Sequence, residues 1–387
     1  MRFAEYIDEW HKYALSDFAT RITRRNKNNE SSLPLTISAQ YGLVDQITFF
    51  NKTVASVDLS GYYLLYNGDF AYNKSYSNDY AWGAVKRLDK YEKGCLSSLY
   101  FVFHPTDKVH SDYLTHYFET SKWHKGISDI AGEGARNHGL LNMAVDDYFA
   151  TKHYLPSLSE QKKIACFLNL ITKRIEIQNK IISKYETLIK GISCDYFSKQ
   201  PNHIAKLKDL IIKGKAGGTP SSTVAEYYNG DIPFLSISDM TKQGKYVEFT
   251  EKHISENGLA NSSAWIVPSN SLILSMYASV GLVCINKVPL ATSQAMFSMV
   301  LKDCNMLDYI YYYLNFFRET QIHRLLETGT QSNINADTVR DIEIPFYSNI
   351  LVFVKTLQAI ENRLNNEKDM LSRLMDLKTY LLSSLFI

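Results

Sequence analysis

The chain is poor in the motifs of catalysis and of metal binding. Its five cysteines (Cys95, Cys166, Cys194, Cys284 and Cys304) are odd in number and scattered, with no CxxC pair. Neither a disulfide framework nor a zinc knuckle is signalled, so reduced, mostly buried thiols are expected. Ten histidines include no HExxH. There is no GxxxxGK loop followed by Ser or Thr, no GxGxxG after a strand and no GxSxG. Gly214-Lys-Ala-Gly-Gly-Thr-Pro220 is glycine-rich, but its spacing is wrong for a phosphate loop. Also missing is the Asn-Pro-Pro-aromatic or Asp-Pro-Pro-aromatic tetrapeptide used to methylate base amino groups. No enzyme active site, metal or cofactor is expected in this chain.

Excess charge is missing too. The 387 residues carry 42 Lys and Arg against 40 Asp and Glu, a formal net charge of +2. A protein that coats nucleic acid through one strongly basic face is excluded. No apolar run approaches the ~18–20 residues of a membrane span, and the first residues lack a signal-peptide apolar region, so a soluble, cytoplasmic protein without membrane contact is expected. What is present is ordinary core-forming material: 45% hydrophobic and 21% charged residues, which rules out a mainly disordered chain. The length suits two or three domains.

A repeat organises the chain. Residues Pro156 to Phe197 align without a gap on Pro345 to Phe386, an offset of 189 residues. Each copy opens with proline and a serine-containing cap, then runs about 40 residues without another proline. Each therefore reads as one long helix, roughly 60 Å at 1.5 Å per residue. In the first copy Leu168, Ile171, Ile175, Gln178, Ile182, Tyr185, Ile189 and Ile192 alternate by three and four. Leu357, Ile360, Leu364, Glu367, Leu371, Leu374, Lys378 and Leu381 repeat the pattern in the second. This narrow seam is that of a coiled coil, and the two helices are expected to bury their seams against each other as an antiparallel pair. Gln178 and Glu367 hold equivalent midpoints, so they are expected to meet and fix the register. Ser157-Leu-Ser-Glu160 reads as a capping box. Glu160-Gln-Lys162 also satisfies a minimal nuclease ExK, but no suitable Pro-Asp element precedes it.

The segments before the helices echo one another more weakly. Ala14-Leu-Ser-Asp17 matches Lys206-Leu-Lys-Asp209, and Leu33-Pro-Leu-Thr-Ile-Ser38 matches Ile232-Pro-Phe-Leu-Ser-Ile-Ser238. The strand-like run Leu99 to Phe103 corresponds to Ala295 to Val300, and Gly134 to His138 corresponds to Gly329 to Asn333. Short β-branched and aromatic runs between Asn, Gly and Ser turns give a mixed α/β (α+β) class. The expected architecture is two similar globules joined by two long helices in an antiparallel coiled coil, with a pseudo-twofold internal repeat. Most of the 27 tyrosines fall in strand-like runs and are expected in cores.

Recognition chemistry gathers in turn-like segments. Arg21, Arg24, Arg25 and Lys27 follow the first apolar run, and Lys213 and Lys215 hold the same relative place in the second half. Arg136-Asn-His138 and Thr330-Gln-Ser-Asn333 form another matched pair. Basic side chains in such loops suit phosphates, while Asn, Gln and Arg can read adenine or guanine edges in paired hydrogen bonds. Any one of these residues could equally be a solvated loop residue; their recurrence in both halves favours the functional reading.

Pro156-Ser-Leu-Ser-Glu-Gln-Lys-Lys-Ile-Ala, followed by Phe-Leu and a long amphipathic helix, resembles the conserved region of Type I restriction-modification specificity (S) subunits. Gly217-Gly-Thr-Pro-Ser through Tyr228-Asn-Gly-Asp-Ile-Pro-Phe234 resembles the opening of a target recognition domain in that family. Arg2-Phe3 with Trp10 resembles its N-terminal lead-in, so a complete chain is expected. Asn349 and Ile350 stand where the first copy has Glu160 and Gln161, so the second copy departs from the motif.

The resemblance implies target recognition domain 1 over 1–154, a first conserved helix over 155–200, target recognition domain 2 over 201–344 and a second conserved helix over 345–387. It implies a non-catalytic reader of double-stranded DNA, each domain binding half of a bipartite site. The helices would set the spacer and dock two methyltransferase (M) subunits, which use S-adenosylmethionine; restriction (R) subunits, using ATP and Mg, would join them. Candidate DNA contacts are Arg21, Arg24, Arg25, Lys74, Arg136, Asn137 and His138 in the first domain. In the second they are Lys213, Lys215, Thr219, Lys242, Thr330, Gln331 and Asn333. The other class to weigh is a two-domain protein-interaction scaffold that reads no DNA; a third is a fragmentary relative of single-chain nuclease-methylases. Net charges of −1 for 1–154, −2 for 203–344, +4 for 156–200 and +1 for 345–387 mean that DNA contact by the globules must be local to loops.

Overall fold

The computed structural model describes residues 2–77, 80–131, 139–324 and 333–387. They form two compact units: Met1–Lys180 with Asp369–Ile387, and Ile181–Lys368.

In the first unit, His11–Ala14 pairs antiparallel with Lys152–Leu155, the strand that leads into the central helix. A four-residue helix, Leu15–Phe18, follows at once, its first N–H groups met by the Asp17 carboxylate, which accepts from Ala14 N at 2.7 Å. An antiparallel sheet then runs in the order Ala19–Arg21, Phe101–Pro105, Phe70–Asn73, Ala84–Arg87. A second four-stranded sheet orders Gly42–Asp45, Pro34–Ser38, Lys93–Leu96 and Tyr63–Tyr66, with one parallel pairing between Pro34–Ser38 and Lys93–Leu96. Large aromatics fill the core. Tyr72 stacks on Tyr148 with centroids 4.7 Å apart, and Phe70 on Phe103 at 5.4 Å.

The second unit repeats this plan with a strand added to one sheet and one fewer in the other. His203–Lys206 pairs with Glu343–Phe346, and the short helix Leu207–Leu210 follows. The larger sheet orders Ile211–Ala216, Met296–Leu301, Leu272–Ser275 and Val283–Asn286, with Tyr246–Val247 added in parallel at the far edge. The smaller sheet orders Lys252–Ile254, Ile232–Leu235 and Ala291–Thr292, again with one parallel pairing. Thus the weak echoes at Ala14, Leu33 and Lys206 mark corresponding elements. The first-half strand starts at Phe101 rather than Leu99, which is 63% exposed before it. The glycines of the second domain's opening are required by crowding. A Cβ on Gly217 would lie 1.9 Å from Thr292 O, and one on Gly230 would lie 2.3 Å from Ser255 Cα.

Two long helices, Leu158–Phe197 and Ile350–Leu385, carry the seams. Leu168, Gln178, Ile182, Leu357, Leu364 and Leu381 are buried; Ile171, Ile175, Tyr185, Ile189, Ile192, Ile360, Glu367, Leu371, Leu374 and Lys378 are half-buried. In the second unit the helices run antiparallel: Glu186 meets Lys368 at 3.0 Å, and ten residues on, Tyr196 stacks on Phe353 at 3.9 Å. In the first unit Ile164, Ala165 and Leu168 share one apolar cluster with Leu381, Leu385 and Phe386. A helix of this length is stabilised chiefly by such packing, not by propensity alone.

Two sequence expectations change. The capping box is only half formed: Glu160 N donates to Ser157 Oγ at 3.4 Å, but the Glu160 carboxylate turns to Arg2. Arg2 grips it bidentately, Nε to Oε1 at 2.7 Å and Nη2 to Oε2 at 2.6 Å, because a charged fork outcompetes a neutral backbone donor. Next to it, Gln161 Nε2 donates to Pro156 O at 2.9 Å while its Oε1 accepts from His110 N at 2.8 Å. The Glu-Gln pair therefore ties the N-terminal lead-in and the globule to the helix start. The cysteines are all free thiols, but only Cys95 and Cys284 are buried. Cys166, Cys194 and Cys304 are exposed, the first two on outward positions of the central helix.

Each globule is also docked to the helices by charge. In the first unit Arg87 Nη1 donates to Asp112 at 2.7 Å, and Asn169 Nδ2 of the central helix donates to the same carboxylate at 3.0 Å. In the second unit Asp308 accepts from Gln358 Nε2 of the C-terminal helix at 2.7 Å, and Lys245 lies 2.8 Å from Asp308 and 2.7 Å from Glu361. Asn169 and Gln358 are 189 residues apart, the repeat offset itself. Burial pushes both carboxyls up, but the cation and amide bonds outweigh it and leave Asp112 and Asp308 below the usual carboxylate range.

Candidate nucleic-acid interface

In the first half the basic cluster separates into different environments. Arg21 ends the strand Ala19–Arg21, exposed, with Asp146 3.8 Å away. Arg24 is committed to the fold. Its Nε donates to Leu64 O at 2.7 Å, its Nη2 pairs with buried Asp69, and its guanidinium sits 4.6 Å from the Tyr66 ring centroid. Asp69 is further held by Tyr66 N at 2.7 Å and by His104 Nδ1 at 2.8 Å, so Arg24 neutralises a buried carboxylate. Arg25 lies 4.0 Å over the Tyr63 ring and donates from Nη1 to Gly61 O at 2.8 Å. It is half-buried, a guanidinium stacked and aimed rather than loose.

Lys74 follows the strand Phe70–Asn73, its Nζ 4.6 Å over the Phe101 ring, and burial lowers its pKa. Arg136, Asn137 and His138 lie outside the described residues, but the chain just after them does not. Leu140 bridges Ser75, Tyr76 N donates to Gly139 O at 3.1 Å, and Leu141 N donates to Lys74 O at 3.0 Å. Lys74 is thereby brought to the edge of that segment. The second half repeats the arrangement. Thr330 and Gln331 lie outside the described residues; half-buried Asn333 is followed by Ile334, whose N–H donates to Met276 O at 3.0 Å. Met276 follows Leu272–Ser275, the counterpart of Phe70–Asn73.

Lys213 and Lys215 lie not in a loop but on the edge strand Ile211–Ala216, in alternate positions and so on one face. Pairing with Met296–Leu301 extends the strand up to the turn that the glycines Gly217 and Gly218 begin. Lys213 Nζ is 4.0 Å over the Trp265 ring, and Lys215 is exposed. Thr219 Oγ1 donates to Gln294 Oε1 at 2.5 Å just beyond. Lys242 stands apart on the helix Ile237–Gln243, paired with Glu251, whose hydrogen bond raises its pKa. It lines a cleft of about 800 Å³ with Lys245, Tyr246 and Glu361. Sequence reading missed Arg340, which donates from Nη2 to Gly214 O at 3.0 Å and lies 5.2 Å over Phe297, bracing the strand that carries both lysines. It also missed the docking carboxylates Asp112 and Asp308; the repeat offset of 189 relates only their amide partners, Asn169 and Gln358. Among the described residues no group of three or more His, Cys, Asp or Glu is placed to hold a metal ion.

Two copies of one mixed α/β globule, each running into a long helix, define a duplicated module. Residues 201–368 match the Type I restriction modification DNA specificity domain. The chain is 30% identical over 147 residues to the MjaIX Type I restriction enzyme specificity subunit of Methanocaldococcus jannaschii, covering 38% of this chain and 34% of that one. The match therefore spans about a third of that relative's length. The fold matches the Type I restriction-modification S subunit from M. genitalium at TM-score 0.57 and 14% identity, over 100% of this chain and 98% of that one. A chain from a study of complex assembly and conformational transition of the Type I R-M system matches at TM-score 0.60 and 15% identity, over 97% of both. The family match thus covers residues 201–368, and the chain as a whole shares the fold of these S-subunit structures.

Proposed function

We propose that the chain is the DNA-reading subunit of a Type I restriction-modification complex, each globule binding one half of a bipartite duplex target. The internal duplication carries this reading: one globule plan occurs twice, and each copy is docked on the helices through the same carboxylate–amide pair. Two similar readers suit a target made of two half-sites. The chain itself performs no chemistry. It positions partners: two methyltransferase subunits bound along the helices, supplying S-adenosylmethionine-dependent methylation of adenine N6, and restriction subunits using ATP and Mg. The long helices set the spacing of the half-sites. Domain limits of 1–154 and 201–344 for the readers, and 155–200 and 345–387 for the helical arms, follow from the repeat.

Within the readers, Arg21, Arg25 and Lys74, with Arg136, Asn137 and His138, contact the first half-site. Lys213, Lys215 and Thr219, with Thr330, Gln331 and Asn333, contact the second. Arg24 and Lys242 act through their carboxylate partners, positioning the surfaces rather than touching DNA. The test is a map of N6-methyladenine in host DNA with and without the gene. Loss of a single bipartite motif is the expected result. An unchanged map beside active methyltransferase partners overturns the reading in favour of a scaffold that reads no DNA.

A further inference from the structure

The first unit holds a cup of about 460 Å³ lined by Lys12, Lys122, Lys125 and Lys152, with Asp129 and Asp147 as the acidic members. None of these lysines belongs to the basic loops described above. Lys12 and Lys152 come from the two paired strands His11–Ala14 and Lys152–Leu155; Lys125 comes from the helix His124–Ile130, and Lys122 from the turn before it. All four are exposed, and among the described residues none is held in an ion pair. Lys12 rests 5.7 Å from the Tyr154 ring centroid. Four ammonium groups against two carboxylates make this a local cationic site on a globule whose overall charge is −1.

The repeat supplies an internal control. Strand register places Ile204 where the first half has Lys12, Glu343 where it has Lys152, and Pro345 where it has Tyr154. The remaining lysine there, Lys206, is paired with Asp341 at 3.2 Å. The same strand pair therefore forms without the lysines, so the fold does not require them. Burying nothing and neutralising no carboxylate at close range, they repel one another, a cost that a bound polyanion would offset. Lysine, a mobile point charge, matches phosphate oxygens without reading base edges.

We propose that this cup is a phosphate-binding site for the DNA backbone, present only on the first half and separate from the base-reading loops. The proposal rests on the DNA-reading function. It makes the grip asymmetric: the first half contributes sequence-independent affinity that the second half lacks.

The test measures binding of the full-length chain to a random-sequence DNA duplex as a function of salt, with inorganic phosphate as a competitor. The variant K12Q/K122Q/K125Q/K152Q changes only exposed side chains. The expected result is a flatter dependence of log affinity on log salt, by about 0.9 for each phosphate no longer neutralised, and affinity near 0.1 M salt lowered about tenfold or more. The reciprocal variant I204K/E343K is expected to steepen the slope of an otherwise wild-type chain. An unchanged slope for the quadruple variant, with wild-type binding intact, overturns the cup and leaves the DNA-reading function standing. Failure of the wild type to bind any duplex overturns both. Loss of competition by millimolar inorganic phosphate in the variant, with duplex binding unaltered, assigns the site to a free anion and refutes the backbone assignment.

Discussion

At the scale of single residues, the partners that folding brings to a charge decide its behaviour. Glu119 shows this most clearly: burial raises its pKa, but His116 and Lys378, the latter 3.0 Å away, overcome that and bring it down to about 2. A carboxyl whose folded pKa is depressed stabilises the protein above its unfolded pKa and loses that contribution as pH falls. Glu119 should therefore contribute on the order of 2–3 kcal/mol at neutral pH, lost between about pH 4.5 and pH 2. Urea denaturation across that window, compared between wild type and Glu119→Gln, should show the variant lacking this part of the acid dependence. Gly217 makes a second residue-scale prediction. Its missing Cβ would meet Thr292 O at 1.9 Å, so Gly217→Ala should destabilise the chain by about 1–3 kcal/mol, read as a lower urea midpoint.

At the scale of elements, the docking of globules on helices decides rigidity. Lys245 is 11% exposed and sits between Asp308 and Glu361, with Tyr312 Oη donating to Glu361 at 2.5 Å. Burial lowers the lysine's pKa, but the two carboxylates outweigh this and hold it above the usual lysine range. Lys245→Ala would leave two carboxylates facing one another without their cation. It should cost about 3 kcal/mol in chemical denaturation, and hydrogen exchange should quicken over 350–368. The matching pair Asn169–Asp112 does the same for the first globule. These contacts were only partly legible in sequence. The seam residues announced themselves by three-four spacing, because one helical face must repeat every 3.6 residues. The carboxylates did not, because a solvated aspartate and a docking aspartate are identical until folding places an amide and a cation beside one of them.

The same limit applied to the candidate interface. Arg21, Arg24 and Arg25 read alike in the sequence, yet Asp69 claims Arg24 from 45 residues away while Arg25 stacks on Tyr63. Lys213 and Lys215 read as loop residues, yet pairing with Met296–Leu301 makes them neighbours on one strand face. Only long-range pairing distinguishes these fates.

At the scale of the whole molecule, a net charge of +2 limits how the proposed DNA reader can grip a duplex. Isolated, it should bind a duplex weakly and with a shallow salt slope; adding methyltransferase partners should steepen the slope, since most phosphate contacts would then be theirs. Fluorescence anisotropy over a salt series, with and without partners, checks this.

The sequence by itself determined the duplication, the two long helices, the seam positions and the mixed α/β class, because each follows from local periodicity or from self-similarity at a fixed offset. Tertiary structure alone decided which charges are spent inside the fold and which stay at the surface. It turned Glu160 from a cap into the anchor of Arg2, and it gathered Lys12, Lys122, Lys125 and Lys152 into one cup on one half. The physical reason is common to both. Electrostatic roles depend on distance and burial in space, and residues far apart in the chain acquire these only when it folds.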